Sequence, residues 1–237
     1  MSSCALNEAV AIFPKRAHGL LVIFASRQDA GCKLGRRLRE TGVKADLVIG
    51  LPRGGVVVAA EVARLLQQPL DILVVRKIGH PQHREFAVGA LAENDVTLLD
   101  ETVIAGSLLL RAELNGVIAE ERARLREYQK KFRRGRKPDF SGKNILVVDD
   151  GLATGATAEA AVLSIRKSGA RNIILAVPVA STSAMERLQA VADGVIALIA
   201  DPEFNAVGRY YRRFDATSDE EVLALLRGPN ESPAPPS

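Results

Sequence analysis

Short runs of aliphatic and β-branched residues recur along the chain, each five or six residues long. They are almost continuously apolar rather than alternating, which indicates strands that are buried on both faces. The runs are separated by longer stretches, so a connecting helix can return the chain to the same sheet edge. The predicted strands are Asp46–Gly50, Asp71–Val75, Asn144–Val148, Asn172–Val177 and Gly194–Leu198.

Between these runs, apolar residues recur at helical spacing. The alternation of strand and helix predicts an α/β fold with a mostly parallel open sheet flanked by helices. Ser183 with Glu186, and Ser218 with Glu221, have the spacing of helix capping boxes. The predicted helices are Gln28–Glu40, Gly55–Gln67, Ser107–Phe132, Ala156–Ser168, Ala184–Ala192 and Asp219–Leu226.

The remaining segments set the predicted boundaries. Phe86–Leu91 and Thr97–Leu99 predict a small hairpin or edge strands. Residues 1–25 carry no clear pattern, so we predict one domain over residues 26–227, with residues 201–217 as a small C-terminal cap. Residues 228–237 are rich in Pro and Ser, and we predict a disordered tail there.

The composition indicates where in the cell the protein is expected to act. Of the 237 residues, 47% are hydrophobic, yet no apolar run approaches the roughly 20 residues that a membrane span requires. We therefore expect no membrane association. The two cysteines, Cys4 and Cys32, form no C-x-x-C motif, which favours a reduced, cytoplasmic location.

The positive charge of the chain is concentrated in one segment. The formal net charge is +4, and Arg122–Lys137 holds nine basic residues against one glutamate. One interpretation is a solvated helix end. The other is a surface that faces a polyanion such as a nucleotide or a nucleic acid, although only Tyr128 and Phe132 are available there for stacking.

The segment Asn144–Thr157 (NILVVDDGLATGAT) carries the strongest chemical signal. An apolar strand ends in two adjacent carboxylates, and a loop of small and hydroxyl residues then enters a helix. Backbone N–H groups of such a loop and the helix N-terminus form an anion site. Asp149 and Asp150 beside a phosphate would suit sugar hydroxyls and Mg²⁺.

Two further motifs follow predicted strands. Gly50–Val56 (GLPRGGV) combines Arg53 with a tight glycine turn, and Arg76 and Lys77 end the next strand in VRKIG. Ligands of open α/β sheets bind at the carboxyl ends of the strands. We therefore expect these cations to lie at the same sheet edge as the anion loop.

Two less specific segments complete the candidates. His80–Glu85 has the composition of a loop, in which His80 and His83 are either metal ligands or solvated side chains. Asp201–Tyr211 gathers most of the few aromatic residues of the chain. These either stack on an acceptor base or pack a C-terminal segment onto the core.

Together these motifs resemble the type I phosphoribosyltransferases, over roughly Gln28–Leu226. The stretch from Asp149 to Thr157 resembles the signature of this family for 5-phosphoribosyl pyrophosphate (PRPP). The order of GLPRGGVVVA, VRKIG, VVDDGLATGAT and AVGRYY is similar to that of a stand-alone, bacterial-type subgroup. The resemblance implies the type I fold with a C-terminal hood, a cytoplasmic homodimer, and transfer of phosphoribose from PRPP to a small nitrogenous acceptor with Mg²⁺ as cofactor.

The resemblance also implies a role for each matching residue. Asp149, Asp150, Arg76 and Lys77 would be catalytic, and the two aspartates would also hold the metal. The 5′-phosphate would bind Gly151, Ala153, Thr154, Gly155, Ala156 and Thr157. Pyrophosphate would bind Pro52, Arg53, Gly54 and Gly55; a flexible loop would contain His83, Arg84 and Glu85; and the hood would present Phe204, Tyr210 and Tyr211 to the acceptor.

One departure bears on the acceptor. In the 6-oxopurine enzymes an aspartate precedes the Thr-Gly of the signature, whereas this chain has Ala153. Hypoxanthine and guanine are therefore disfavoured. The alternative function is a regulatory protein that senses PRPP on the same fold and binds nucleic acid through Arg122–Lys137; we expect nucleic acid to be the less favoured partner.

Overall fold

The computed structural model describes residues 10–11, 23–84, 86–104, 108–133 and 138–227. Its main sheet has six strands that all pair in parallel, in the order β1-β9-β8-β7-β2-β3. This confirms the predicted parallel α/β sheet. The strands of this sheet are β1 (Val10–Ala11), β2 (Leu47–Gly50), β3 (Leu70–Ile72), β7 (Asn144–Val148), β8 (Asn172–Ser181) and β9 (Gly194–Asp201).

Alternate residues of the central strands pack on opposite helical layers. Along β7, Ile145 and Val147 face a cluster with α5 and α6, while Leu146 and Val148 face a cluster with α1 and α2. Burial on both faces is the reason that these strands appear in the sequence as continuous apolar runs. The four flanking helices are α1 (Arg27–Glu40), α2 (Gly54–Leu66), α5 (Ala156–Lys167) and α6 (Thr182–Gln189).

A second sheet corrects one predicted strand. The run predicted as Asp71–Val75 is divided: β3 ends at Ile72, and the chain then enters an antiparallel sheet in the order β4-β5-β6. A single apolar run cannot reveal this change of partner, because both sheets bury it. The strands of the small sheet are β4 (Val75–Gly79), β5 (Ala87–Ala92) and β6 (Val96–Leu99), so the hairpin prediction is confirmed.

Three further helices, α3 (Glu101–Ile104), α4 (Leu108–Arg133) and α7 (Asp219–Arg227), belong to the same side of the molecule as the small sheet. Their apolar residues share a core with β4 and β5. A 3-10 helix at Val207–Tyr210 precedes α7. None of the described helices combines the length and apolar character needed to cross a membrane.

The two predicted capping boxes differ in outcome. At α7 the box is confirmed, because Ser218 N donates to Glu221 Oε2 (2.7 Å) and Glu221 N donates to Ser218 Oγ (3.1 Å). At α6 the prediction is wrong: the helix is capped by Ser181, whose Oγ accepts from Ala184 N. Strand β8 continues to Ser181, so the helix starts before Ser183.

Part of the ambiguous N-terminal region joins the C-terminal segment. Phe24 forms a parallel bridge with Tyr211, and Arg212 N donates to Phe24 O. Strand β1 pairs with the edge of β9. The predicted tail, residues 228–237, lies outside the described residues.

Candidate active site

The acidic pair lies at the carboxyl end of β7, near the middle of the main sheet. Asp149 and Asp150 follow directly on four buried residues of this strand. The strand also pairs with β2, whose carboxyl end leads into Leu51 and Pro52. Parallel pairing in this register places the two sequence motifs side by side, as open α/β sheets do with ligand-binding loops.

The two carboxylates have different partners. Arg27 Nε lies 2.7 Å from Asp150 Oδ2, whereas Asp149 Oδ1 accepts a hydrogen bond from the backbone N–H of Asp150, at 2.8 Å. Burial and the neighbouring Asp150 raise the pKa of Asp149 well above its usual range. Burial also raises the pKa of Asp150, and Arg27 opposes that rise. Two crowded carboxylates of this kind would favour a bound cation.

The loop after the carboxylates opens at the N-terminus of α5. Gly155 precedes the helix with φ at +75°, a left-handed conformation that favours glycine. The loop is tied to α6 because Ser181 Oγ donates to Ala153 O at 2.7 Å. Thr154 is exposed and Thr157 half-buried, so their hydroxyl groups and the first N–H groups of α5 can face an anion.

The glycine loop packs directly against the acidic pair. A Cβ on Gly54 would lie 2.1 Å from Asp150 Oδ2, and one on Gly55 would lie 2.6 Å from Asp149 Oδ1. Helix α2 begins at Gly54, one residue before the predicted start, and the Pro52–Arg53 peptide is cis. These close contacts explain why the loop carries two consecutive glycines.

Arg53 lies apart from the carboxylates. Its guanidinium is 45% exposed and lies 3.8 Å from Asp219 at the start of α7. Arg53 is not among the residues that line the cavity in front of Asp149, although Pro52 is.

A cavity of about 550 Å³ lies in front of Asp149 and is lined by residues of the glycine loop, the VRKIG strand and the signature segment. One wall carries Arg76, whose Nε donates to Glu121 Oε2 at 2.9 Å, and Lys77. Such a volume is typical of small-molecule sites. The described lining residues are Leu51, Pro52, Val75, Arg76, Lys77, Gly79, Arg84, Glu120, Glu121, Arg124, Asp149 and Thr157.

The predicted flexible loop lies at the rim of this cavity. Arg84 is half exposed and pairs with Glu120 at 3.1 Å. His83 N donates to His80 O, and the two rings lie 5.7 Å apart. Within the described part of the chain, no group of three or more histidine, cysteine or acidic residues could hold a metal. Glu85 lies outside the described residues.

The aromatic C-terminal segment is mostly a packing element. Tyr210 and Tyr211 are only 2% and 4% exposed and share a core with Phe24. Tyr211 also donates to the backbone oxygen of Asp150 at 2.5 Å, and Phe204 stacks on Tyr210 while remaining half-buried. Of the two interpretations of this segment, the structure shows packing for both tyrosines, so their rings are not presented for stacking.

The basic segment is partly neutralised. Arg124 pairs with Glu120 and Glu121, Lys131 pairs with Asp219, and Arg133 is buried against Glu93. Residues 134–137 lie outside the described chain. The described part of this segment is thus neither a fully solvated helix end nor an uninterrupted cationic surface.

Two residues of the site were missed by sequence reasoning. Arg27 pairs with Asp150 across 123 positions and is also held by Phe214, whose ring centroid lies 3.8 Å from its guanidinium carbon. Glu121 lies in the middle of α4 and orients Arg76. No local pattern marks either residue, since only the packing of distant elements brings Arg27 to Asp150 and Glu121 to Arg76.

Comparison with known proteins agrees with this geometry. Residues 27–212 match the family described as phosphoribosyl transferase domain. The chain is 45% identical over 205 residues to a Mycobacterium tuberculosis protein (strain H37Rv) provisionally named a phosphoribosyl transferase; the match covers 86% of this chain and 46% of that protein. The chain therefore spans about half the length of this curated relative.

A solved structure is also similar. The TT1426 protein of Thermus thermophilus is 43% identical and superposes with a TM-score of 0.72, covering 86% of this chain and 98% of that one. The parallel sheet and the signature loop are those that the family resemblance implied. The chain therefore belongs to the phosphoribosyl transferase family and has the type I phosphoribosyltransferase fold.

Proposed function

We propose that the chain is an Mg²⁺-dependent phosphoribosyltransferase that moves the 5-phosphoribosyl group of PRPP to a nitrogenous acceptor and releases pyrophosphate. The observation that carries the proposal is the 550 Å³ cavity. It brings Asp149 and Thr157 of the signature loop together with Arg76 and Lys77 of a separate strand. Four cations line this cavity against three carboxylates, and the signature loop opens at its edge through Asp149 and Thr157, an arrangement that suits the phosphate groups and the ribose of PRPP.

The signature loop would hold the 5′-phosphate. The helix dipole of α5 and its free N–H groups favour a dianion at this end. We assign this role to the residues predicted from sequence: Gly151, Ala153, Thr154, Gly155, Ala156 and Thr157. We infer that Asp149 and Asp150, at the strand end next to the loop, would face the ribose hydroxyls.

The donor set suits Mg²⁺. Both candidate ligands, Asp149 and Asp150, are carboxylates, and Mg²⁺ is held in many phosphate sites by one or two carboxylates together with substrate oxygens and water. Mg²⁺ is also the cofactor that the resemblance of the signature to the PRPP-binding family implies. When bound, the ion would neutralise charge on the leaving pyrophosphate.

Arg76 and Lys77 would stabilise the charge that develops on the pyrophosphate as the C1–oxygen bond breaks. Glu121, which also lines the cavity, accepts a hydrogen bond from Arg76 Nε and restrains its guanidinium. Pyrophosphate would bind the glycine loop, at Pro52, Arg53, Gly54 and Gly55. Arg53 would have to leave Asp219 to reach the ligand.

The acceptor approaches opposite the leaving group. The carboxylates would stabilise the positive charge that develops at C1 of the ribose. A nitrogen lone pair of the acceptor would then form the new bond to C1. Because the rings of Tyr210 and Tyr211 are buried, the aromatic surface left for an acceptor is that of Phe204 and Phe214, the latter 37% exposed beside Arg27. Ala153 supplies no carboxylate for a 6-oxopurine.

Calorimetric titration of PRPP with and without Mg²⁺ tests the proposal. We expect metal-dependent binding that is lost in an Asp149→Asn/Asp150→Asn double variant and kept in the exposed-carboxylate control Asp139→Asn. Screening nucleobases for pyrophosphate release then identifies the acceptor. An absence of PRPP binding in every condition would overturn the proposal.

The regulatory alternative makes a different prediction. A PRPP sensor would bind PRPP, release no pyrophosphate with any base, and bind DNA or RNA with a strong dependence on salt. The ion pairs of Arg124, Lys131 and Arg133 reduce the charge available for such binding. The homodimer stays a prediction, which sedimentation velocity checks.

A further inference from the structure

A second cavity, of about 500 Å³, lies between α4 and the turn that joins β5 to β6. Its polar wall is one face of α4, where Arg122, Arg126 and Lys130 recur every four residues. Residues with this spacing lie above one another, with a rise of about 6 Å between neighbours. The cavity shares no lining residue with the candidate active site.

The cavity is remote from the signature loop. Asn94 in the turn donates to Ser164 Oγ (3.1 Å) and Ser168 Oγ (3.0 Å), and Lys167 donates to Asn94 O. These residues belong to the C-terminal end of α5, whereas the loop lies at its N-terminal end. From Ala156 to Lys167 the helix rises by roughly 16 Å.

The lining carries an excess of positive charge. Four cations line the cavity against two carboxylates, those of Glu93 and Asp95. Glu93 is only 2% exposed and is already paired with Arg133. Arg126 and Lys130 are exposed, and within the described residues neither makes a hydrogen bond or an ion pair. Two unpaired cations therefore face a cavity whose buried carboxylate is neutralised.

A buried donor without a partner among the described residues lies beside this cavity. Arg133 lines the cavity with a side chain only 7% exposed, and its guanidinium donates to Glu93 and to Ile72 O. Its Nε nevertheless has no hydrogen-bond partner among the described residues. Buried polar groups without a partner are rare in native proteins and call for an explanation.

The side opposite α4 is mixed in character. Leu91 and Ala92 are almost fully buried and Val96 is half-buried, and between them lie the polar residues of the β5–β6 turn. A site that combines a cationic row with neighbouring aliphatic side chains suits an amphiphilic anion. We propose that this cavity binds a small phosphorylated ligand with an aromatic or apolar part, the chemical class of a nucleoside phosphate, at a site separate from the candidate active site.

The short row of cations and the volume of the cavity favour a small ligand over a nucleic acid strand. A strand would track along a longer groove, whereas the row of Arg122, Arg126 and Lys130 that lines this cavity spans only about 12 Å. Its volume is in the range of small-molecule sites. The inference does not depend on the reaction proposed for the first cavity.

Binding of ADP, measured by calorimetry at low salt without Mg²⁺, tests the proposal. We expect Arg126→Ala/Lys130→Ala to weaken ADP binding at least tenfold, because two charge-assisted contacts are lost. Arg133 is left in place, since removing it would strand the buried Glu93 carboxylate. The affinity should also fall as salt is added.

Two control variants distinguish ADP binding in this second cavity from a general effect of charge and from binding in the candidate active site. Arg111→Ala/Lys143→Ala removes two partly exposed cations that line neither cavity and should leave the affinity for ADP unchanged. Thr154→Ala/Thr157→Ala alters the signature loop and should also leave it unchanged. Loss of ADP binding in the signature-loop variant alone would assign the ligand to the first cavity and overturn the proposal.

Two other results would also overturn it. One is an absence of ADP binding at millimolar concentration. The other is binding of a single-stranded oligonucleotide through Arg126 and Lys130 with no binding of ADP, which would identify this surface as a nucleic acid site. Circular dichroism of each variant confirms that the fold is retained.

Discussion

Replacing Gly54 with alanine tests how closely the glycine loop and the acidic pair are packed. Gly54 is the first residue of α2, and helix propensity alone predicts that alanine stabilises a helical position by about 0.5–1 kcal/mol. The structure predicts the opposite. The new Cβ would lie 2.1 Å from Asp150 Oδ2 and 2.6 Å from Arg27 Nε, so the ion pair between them must separate.

The magnitude follows from the contact that is lost. A hydrogen bond between charged groups contributes about 1.5–3 kcal/mol, and the Asp150 and Arg27 side chains are only 16% and 12% exposed, so solvent screens them weakly. Subtracting the helix gain leaves a destabilisation of about 1–2 kcal/mol. For a chain of this size, that corresponds to a fall in Tm of about 2–8 °C.

Urea denaturation and thermal melting measure the effect, with Gly116→Ala as the matched control. Gly116 is an exposed position in α4 at which an added Cβ meets no atom within 4 Å, so this variant should gain about 0.5–1 kcal/mol. If Gly54→Ala were as stable as Gly116→Ala, the packing argument would be refuted. Repeating Gly54→Ala in an Asp150→Ala background should remove most of its cost, because the contacting carboxylate is gone.

Three further predictions concern the site itself. Asp149→Asn/Asp150→Asn should lower pyrophosphate release by about 100-fold or more and abolish the effect of Mg²⁺ on PRPP binding, because both candidate metal ligands lose their charge. Glu121→Gln should raise the KM for PRPP and lower kcat, each by about threefold to tenfold, because Arg76 loses its charged partner and would contact the pyrophosphate both in bound PRPP and as it leaves. Tyr211→Phe should lower the free energy of unfolding by about 1 kcal/mol, because it leaves the Asp150 carbonyl without its hydrogen bond.

Each of these predictions has a control and a contrary result. Asp139→Asn should leave turnover unchanged, and full activity in the double aspartate variant would remove the role assigned to the pair. Arg111→Ala, which removes a cation on the same helix from its pair with Glu101, should leave the KM for PRPP unchanged; an equal shift in both variants would indicate a general effect of charge on α4. For Tyr211→Phe, unchanged stability in urea would show that the hydroxyl contact contributes nothing.

Local sequence determines much of the fold because its signals are short in range. The apolar runs that became β2, β7, β8 and β9 are identifiable from burial on both faces, and Ser218 with Glu221 identifies the start of α7 from a spacing of three residues. The signature from Asp149 to Thr157 is likewise contiguous, so a strand, a loop and a helix can be predicted from it without any tertiary contact.

Only the tertiary structure decides the features that depend on distant pairs. The run from Asp71 to Val75 divides between two sheets because its partner strands differ, and Arg27 reaches Asp150 only because α1 packs beside the end of β7. The two tyrosines of the C-terminal segment are buried because Phe24 and Val179 cover them. The sequence thus determined the chemistry of the loops, whereas packing between remote elements decided which side chains line the cavity and which become core.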